Sequence, residues 1–223
     1  PASRPLSEPR GFGPIALVAG DFNHNGRVDL AVVNNTSSNV AILLDFDGIR
    51  FAGVQYVGVG RLPNAAASGD LDGDGDVDLI VTSEADHAVS ILRNDGEGVF
   101  TADIAGLPVG NHPFAVVAGD FNEDQRLDLA VADYGTNPQG SDLGDLRVLL
   151  AGGNGSFLPA QVACQVGFGP AALVAADLNG DHHMDLTVAN FLSDNVTTCQ
   201  GAGAGTLPAV ATMLGRQGTT DIQ

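Results

Sequence analysis

The sequence predicts an all-β fold, a β-propeller built from four-stranded antiparallel blades. An Asp/Asn-rich window recurs four times, and its leading residues, 49, 50 and 57 positions apart, are Asp21, Asp70, Asp120 and Asp177. A period near 50 residues suits a four-stranded blade and is too long for leucine-rich or ankyrin repeats. Short apolar runs alternate with Gly, Asn, Asp and Pro, and no segment keeps a helical apolar period beyond two turns.

Each repeat is predicted to contain four strands, A to D, with the Asp/Asn-rich window between A and B. In the first repeat, apolar runs at 15–19 and 30–33 flank the window, and runs at 40–44 and 51–59 follow it. The last two runs of the second repeat are 89–92 and 100–109. Short runs of β-branched and apolar residues bounded by turn residues are typical of strands.

The repeats place all of 1–223 in a single propeller region. They cover approximately 14–62, 63–112, 113–169 and 170–215, with 1–13 and 216–223 as partial repeats. The motif Gly-Phe-Gly-Pro occurs at 11–14 and again at 167–170, so the first residues align with the end of a repeat. Both ends cut a repeat, which indicates a segment of a longer protein, a chain whose ends share one blade, or degenerate caps.

The net charge of −18 comes from 27 acidic and 9 basic residues. It argues against nucleic acid as a partner, because such binding needs Lys and Arg to displace phosphate counterions. No apolar run approaches the ~18 residues of a membrane-spanning helix, so we expect no membrane insertion. Fourteen of the acidic residues fall in the four windows, whereas a merely solubilising charge would be spread over the surface.

The four windows, loops 1 to 4, are residues 21–29, 70–78, 120–128 and 177–185, and we predict up to four Ca²⁺ ions, one in each. Each reads Asp-x-[Asp/Asn]-x-[Asp/Asn]-x-x-x-Asp. Oxygens at positions 1, 3 and 5, a backbone carbonyl at 7 and a carboxylate at 9 can surround a cation that prefers six to eight oxygens. The predicted ligands are Asp21, Asn23, Asn25, Arg27, Asp29; Asp70, Asp72, Asp74, Asp76, Asp78; Asp120, Asn122, Asp124, Arg126, Asp128; and Asp177, Asn179, Asp181, His183, Asp185.

Position 6 of each loop should have a positive φ, which favours glycine. Gly26 and Gly75 fit this expectation, whereas Gln125 and His182 should each cost about 1 kcal/mol. The ligand carboxylates number two, four, three and three, so we expect loop 2 to bind calcium most tightly.

Two other kinds of loop share part of this pattern, the EF-hand and the metal-free Asp/Asn turn. An EF-hand shares the first nine positions but needs Glu at position 12 and flanking helices. Position 12 is valine in all four repeats, inside a predicted strand, which rejects the EF-hand. Plain Asp/Asn turns without metal are the other alternative, and four copies in register argue against it.

The pattern GDFNxDGxxDLAVAN, preceded by Phe-Gly and Pro, resembles the FG-GAP and VCBS repeats of integrin-α-like β-propellers. The resemblance implies a calcium ion in the A–B hairpin of each blade, all on one face. It also implies a larger propeller of about seven blades, of which four full repeats are visible here. The departures at Gln125 and His182 put calcium in loops 3 and 4 in question.

In such a propeller, the B–C and D–A connections lie on the face opposite the loops. They are residues 34–39, 84–87, 134–145 and 190–195, together with Arg61, Asn111, His112 and Phe168. The seven extra residues of the third repeat fall within 134–145, as a ligand contact or as a tolerated surface insertion. The predicted ligand-binding residues are Tyr134, Asn137, Asp142, His87 and His112.

The leading functional hypothesis is an extracellular or cell-surface recognition and adhesion module that binds a glycan or a protein surface, with structural calcium. A second hypothesis is a domain of a polysaccharide-acting enzyme, but the sequence offers no catalytic constellation and no evident partner for His87 or His112. A third is a self-assembling surface protein, because open blade edges can pair with another chain. Cys164 and Cys199 match no zinc or CxxC spacing, and either a disulfide or two buried thiols fits them.

Overall fold

The computed structural model describes residues 11–103, 106–135, 143–203 and 205. Antiparallel strands dominate, and the one helical element is a single 3₁₀ turn, Glu84–Asp86, among these residues. The described part of the chain contains no helix long and apolar enough to cross a membrane.

The strands form four main sheets, which we call blades 1 to 4. Blade 1 has the order β1 (Pro14–Gly20), β2 (Asp29–Asn34), β3 (Asn39–Leu44), β4 (Gly53–Gly58). Blade 2 has the order β5 (Pro63–Gly69), β6 (Asp78–Ser83), β7 (Ala88–Asn94), β8 (Phe100–Ala102). A further short strand of blade 2, β9 (Leu107–Pro108), also pairs with β7. Blade 3 has β10 (Pro113–Gly119), β11 (Asp128–Asp133), β12 (Asp145–Leu149), β15 (Gln161–Gln165) and a separate hairpin of β13 (Ala151–Gly153) with β14 (Ser156–Phe157). Blade 4 has β16 (Pro170–Ala176), β17 (Asp185–Asn190) and β18 (Asn195–Cys199).

The strands predicted for the first two repeats agree with this arrangement except at the end of the second; the third repeat has the additional hairpin β13–β14, and the fourth strand predicted for the last repeat is not among the described residues. The run at 100–109 was expected to form one strand, but it forms two short strands, β8 and β9, that pair with different parts of β7. Gly106, between them, has φ +51°, a backbone conformation that a continuous strand does not contain.

Each blade begins with a proline and a register shift. The shifts follow Pro14, Pro63, Pro113 and Pro170 in the pairing of the first strand with the second. Proline has no N–H to donate to the ladder, so it is tolerated at the start of a strand beside a bulge.

Three apolar cores lie between successive blades. Phe22 and Ile42 of blade 1 pack with Leu79 and Phe100 of blade 2, and the rings of Phe22 and Phe100 meet edge to face at 5.3 Å. A second core joins blades 2 and 3, and a third joins blades 3 and 4. Both faces of a middle blade are therefore buried, which explains the unbroken apolar runs 79–81 and 129–132 in the second strands of blades 2 and 3.

A disulfide between Cys164 of β15 and Cys199 of β18 crosses the third core. Both residues are buried. The pairing that the spacing left undecided is thus a covalent link between blades 3 and 4.

The face of blade 1 that points away from blade 2 is apolar and exposed. Leu17, at the centre of the first strand, is 68% exposed, and Ile15, the second residue of that strand, is 52% exposed. The matching position in blade 3 is Val116, which is buried against blade 2. This face of blade 1 therefore has the residues of an inter-blade contact.

Candidate functional site

The first aspartate of each loop holds the loop closed through backbone hydrogen bonds. In loop 2, Asp70 accepts from the N–H groups of Gly73 (2.7 Å) and Gly75 (3.0 Å). Asp120 accepts from those of Asp124 (3.1 Å) and Gln125 (2.8 Å) in loop 3. Loop 4 repeats the pair of loop 2 and loop 1 repeats the pair of loop 3, so the residue at position 6 donates to the first aspartate in all four windows.

Position 6 has a positive φ in every loop, at Gly26 (80°), Gly75 (94°), Gln125 (69°) and His182 (72°). Position 4 has one as well, which the sequence reasoning missed. The residues there are His24, Gly73, Glu123 and Gly180. Every loop therefore contains two left-handed residues, and loop 2 alone has glycine at both.

The ninth position of each loop is an aspartate that is nearly inaccessible to solvent. Its two carboxylate oxygens accept from two separated backbone N–H groups. For Asp128 these belong to Phe121 (3.0 Å) and to Ala151 (2.7 Å), which lies beyond the third strand. Asp29, Asp78 and Asp185 repeat this arrangement, so this carboxylate ties the A–B loop to the C–D turn in all four blades.

The local environment moves the pKa of these carboxyls in both directions. Burial raises the pKa of Asp78 and of Asp128. Backbone hydrogen bonds, from Gly26 to Asp21 and from His183 to Asp181, lower the pKa of these two exposed groups. Burial thus disfavours the charged form at the ninth position of loops 2 and 3, whereas backbone hydrogen bonds favour it at Asp21 and Asp181.

Loop 2 brings three carboxylates together. Single oxygens of Asp70, Asp72 and Asp74 all lie within 4.8 Å of one another. The guanidinium of Arg93 lies beside them, 2.9 Å from Asp78 and 3.6 Å from Asp72. One side of this acidic loop is thus neutralised by a protein cation, and the other side is formed by the three-carboxylate cluster.

Neighbouring loops are joined in pairs. The Nε2 atom of His24, at position 4 of loop 1, lies 2.6 Å from Asp76, at position 7 of loop 2. Glu123 of loop 3 and His183 of loop 4 occupy the same two positions and form the same contact. Glu123 raises the pKa of His183, chiefly through this hydrogen bond.

The residues of the loops fit a hard cation such as calcium. All donors are carboxylate, amide or carbonyl oxygens, and each oxygen that accepts one hydrogen bond keeps a second lone pair. In loop 1, the Oδ1 atom of Asn23, at position 3, is buried with no hydrogen-bond partner among the described residues. A bound cation would satisfy that atom.

Three of the predicted ligand-binding residues meet on the opposite face, at the junction of blades 2 and 3. The rings of His87 and His112 contact each other edge to face at 4.8 Å, and the backbone N–H of His112 donates to Nδ1 of His87 (3.0 Å). The ring of Tyr134 packs against Phe114 at 5.2 Å. Burial, and secondarily the charge of Glu84, raises the pKa of Tyr134.

Sequence reasoning did not single out Glu84, which organises this cluster. Its Oε1 atom lies 3.7 Å from Nδ1 of His112, and its Oε2 atom accepts from Asn64 (2.8 Å). One signal was available, because Glu84 is the first residue after β6, as Tyr134 is the first after β11. Asn137 and Asp142, also predicted to bind ligand, lie outside the described residues.

A glycine approaches the opposite-face end of the second strand in every blade. A Cβ on Gly110 would come 1.6 Å from Oδ2 of Asp133, and one on Gly60 would come 2.5 Å from Ser83. Gly11 and Gly167 stand in the same relation to Asn34 and Asn190. Close packing therefore explains the first glycine of the Gly-x-x-Pro sequence that leads into each blade, at 11–14, 60–63, 110–113 and 167–170.

A comparison with models of protein families identifies the family of this chain. The profile of the FG-GAP-like repeat matches residues 21–81 and 70–131. The chain belongs to the FG-GAP-like repeat family. This confirms the resemblance read from the loops and their flanking strands.

The fold is also shared with solved structures. BBS1N, in its complex with ARL6DN, is similar at 15% identity and a TM-score of 0.58, over 96% of this chain and 60% of that chain. An auxiliary nutrient binding protein from Bacteroides ovatus is similar at 12% identity and a TM-score of 0.53, over 85% of this chain and 45% of that one. A comparison with curated proteins finds no match. Together with the four-stranded antiparallel sheets, these likenesses confirm the all-β propeller fold of the FG-GAP repeats.

Proposed function

We propose that this FG-GAP repeat chain is a calcium-stabilised recognition module that binds a glycan or a protein surface outside the cell. The observation that carries the proposal is the meeting of Glu84, His87, His112 and Tyr134 on the face opposite the loops. Polar and aromatic side chains that converge on a rigid framework are typical of binding sites.

The proposed role of calcium is structural. In each loop the candidate ligands precede a buried aspartate that ties the loop to the C–D turn, so an ion bound in the loop would stiffen the blade edge. It would also offset the repulsion between the carboxylates of loop 2. We assign no catalytic role to these loops.

The disulfide supports an extracellular location. Cys164 and Cys199 are bonded, and such bonds persist in oxidising compartments. BBS1N was solved in a complex, and the Bacteroides ovatus protein is named for binding nutrients. At their low identity these likenesses show the fold, so the support for binding comes from this chain's own surface.

The test is to identify a ligand on glycan and extracellular-protein arrays in calcium and to map it by hydrogen exchange. We expect protection in 84–87, 111–114 and 134–135, the segments that contain Glu84, His87, His112 and Tyr134. His87→Ala should weaken binding, and the control His182→Ala, a 95% exposed histidine in loop 4, should not. Protection confined to loops 1 to 4, or binding to neither array, would contradict the proposal.

A second candidate function is self-association through the exposed face of blade 1. Leu17 and Ile15 give that face the character of an inter-blade contact. Sedimentation at increasing concentration tests this candidate, and Leu17→Asp should abolish any association. A chain that stays monomeric at all concentrations would rule it out.

A further inference from the structure

The carboxylate of Asp45, in the C–D turn of blade 1, accepts hydrogen bonds from both asparagines of loop 1. Its Oδ1 atom accepts from Nδ2 of Asn23 at 3.4 Å and also from Nδ2 of Asn25. These two asparagines stand at positions 3 and 5 of the loop, where a bound cation takes side-chain oxygens. A residue outside the window 21–29 therefore contacts two of the candidate ligands within it.

Loops 3 and 4 hold the asparagine at position 3 with a carboxylate from inside the window. Nδ2 of Asn122 donates to Oδ2 of Asp124 at 3.2 Å in loop 3. Nδ2 of Asn179 donates to Oδ2 of Asp181 at 2.9 Å in loop 4. Both acceptors are the aspartates at position 5. In loop 1, where position 5 is itself an amide, the acceptor is Asp45.

Asp45 has an equivalent residue in every blade. Its backbone N–H donates to Oδ1 of Asp29, the ninth residue of loop 1, at 2.8 Å. The residues that make this bond in blades 2, 3 and 4 are Asn94, Ala151 and Gly201. Of these four residues, the one with a carboxylate belongs to the loop with two ligand carboxylates, against four, three and three in the other loops. The negative charge that loop 1 lacks is therefore supplied by its C–D turn.

The bonds of Asp45 differ from those of an ordinary turn aspartate. Asp47, in the same turn, accepts from the backbone N–H groups of Ile49 (2.8 Å) and Arg50 (2.9 Å), and so closes the turn itself. Asp45 instead directs its carboxylate to the A–B loop. The amide of Asn23 that it holds has a buried Oδ1 atom with no hydrogen-bond partner in the described part of the chain, and this is the atom that a cation would take.

We propose that Asp45 is a positioning residue for calcium in loop 1. The inference rests on the proposed calcium role of the loops and adds a residue that the loop pattern does not contain. By accepting from two amide N–H groups, the carboxylate holds Asn23 and Asn25 with their oxygens presented to the ion. Outer partners of this kind orient metal ligands and raise their basicity, and their loss typically costs about 10- to 100-fold in metal affinity.

The test follows calcium binding at each loop separately, by amide NMR of the isotopically labelled native chain in calcium-buffered solutions. The signals to follow are the position-6 amides, which donate to the first aspartate of their loops: Gly26, Gly75, Gln125 and His182. Asp45→Asn keeps the shape of the side chain and removes its charge. The free calcium that half-saturates loop 1 should rise by about tenfold or more, with the other three loops unchanged.

Two further variants separate positioning from the loss of a negative charge. Asp47→Asn removes one charge from the same turn and should leave calcium binding by loop 1 unchanged, because the Asp47 carboxylate bonds to its own turn. Asn25→Asp combined with Asp45→Asn gives loop 1 the arrangement of loops 3 and 4, with aspartate at position 5 and no carboxylate in the turn. This double variant should recover most of the affinity that Asp45→Asn loses.

The inference is overturned if Asp45→Asn leaves the half-saturation of loop 1 unchanged. It is also overturned if the double variant recovers no affinity, because an aspartate at position 5 would then not replace Asp45. Melting temperatures exclude a merely structural role. Such a role lowers the melting temperature of Asp45→Asn equally in calcium and in chelator, whereas positioning lowers it more in calcium.

The failure of this inference can be told apart from that of the proposed calcium role. If the native chain shows a calcium response at loops 2 to 4 and none at Gly26, the inference fails and the calcium role of the other loops stands. If none of the four amides responds to calcium, both fail.

Discussion

Gly110 and Asp133 approach so closely that a Cβ on the glycine would lie 1.6 Å from the carboxylate Oδ2. The same carboxylate is fully buried and pairs with Nε of Arg147 at 2.8 Å. The glycine three residues before the third repeat therefore makes room for the ion pair of the buried Asp133, at the face opposite the loops.

Gly110→Ala should destabilise the chain because the new methyl group displaces this ion pair. We expect a loss of roughly 2–4 kcal/mol in the free energy of unfolding, measured by denaturant titration. Gly58→Ala is the matched control, since a Cβ there meets nothing within 4 Å. Equal stability of the two variants would contradict the close approach.

Asp133 should also give the stability a defined pH dependence. Burial raises its pKa above the unfolded value, so the folded state binds the proton more tightly and the contribution of this group to stability grows as the pH falls through the folded pKa. Between pH 7 and about 4, the native chain should gain free energy of unfolding relative to Asp133→Asn. A difference that shrinks over this range would mean that the ion pair with Arg147 outweighs burial.

The disulfide should be a strong contributor to the junction of blades 3 and 4. Replacing both Cys164 and Cys199 by alanine opens the link, and we expect a loss of about 2–4 kcal/mol. Hydrogen exchange should accelerate in β16 to β18 more than in β1 to β4, because only the former lie across the link. Exchange that accelerates equally in all blades, or that does not accelerate in any blade, would contradict this prediction.

Replacing the left-handed residue at position 6 of loop 3 by glycine should stabilise the folded chain. Gln125 has φ 69°, so Gln125→Gly should stabilise the chain by up to about 1 kcal/mol in chelator, where metal makes no contribution. Gly26→Ala, in open space at φ 80° in loop 1, should have the opposite effect. The melting temperatures of both variants test this prediction, and shifts of both in the same direction would contradict it.

Much of the fold could be predicted because the same pattern of loops and strands recurs in four aligned repeats. Four aligned windows identified the A–B hairpins, and alternating apolar runs identified most strands. The break between β8 and β9 was missed, since nothing in the run at 100–109 marks the turn at Gly106 as stronger than other glycines.

The site was predicted in part, for a different reason. His87, His112 and Tyr134 were selected because the repeat places their connections on one face, but which of them touch depends on packing between blades. Glu84 contacts Asn64 of β5 and His112 of the connection before β10, and contacts between such distant parts of the chain leave no local sequence pattern. The disulfide is of the same kind, because its two cysteines belong to adjacent blades.

The central claim, that the four loops are structural calcium sites, is tested most directly by thermal unfolding in millimolar calcium and in excess chelator. Asp70, Asp72 and Asp74 place three carboxylate oxygens within 4.8 Å of one another, and an ion that bound there and in the other loops of the folded chain alone would stabilise the folded state. We predict a melting temperature that rises in calcium, with a smaller rise in Asp70→Asn. The same melting temperature in calcium and in chelator would contradict the account and leave the loops as ordinary Asp/Asn turns.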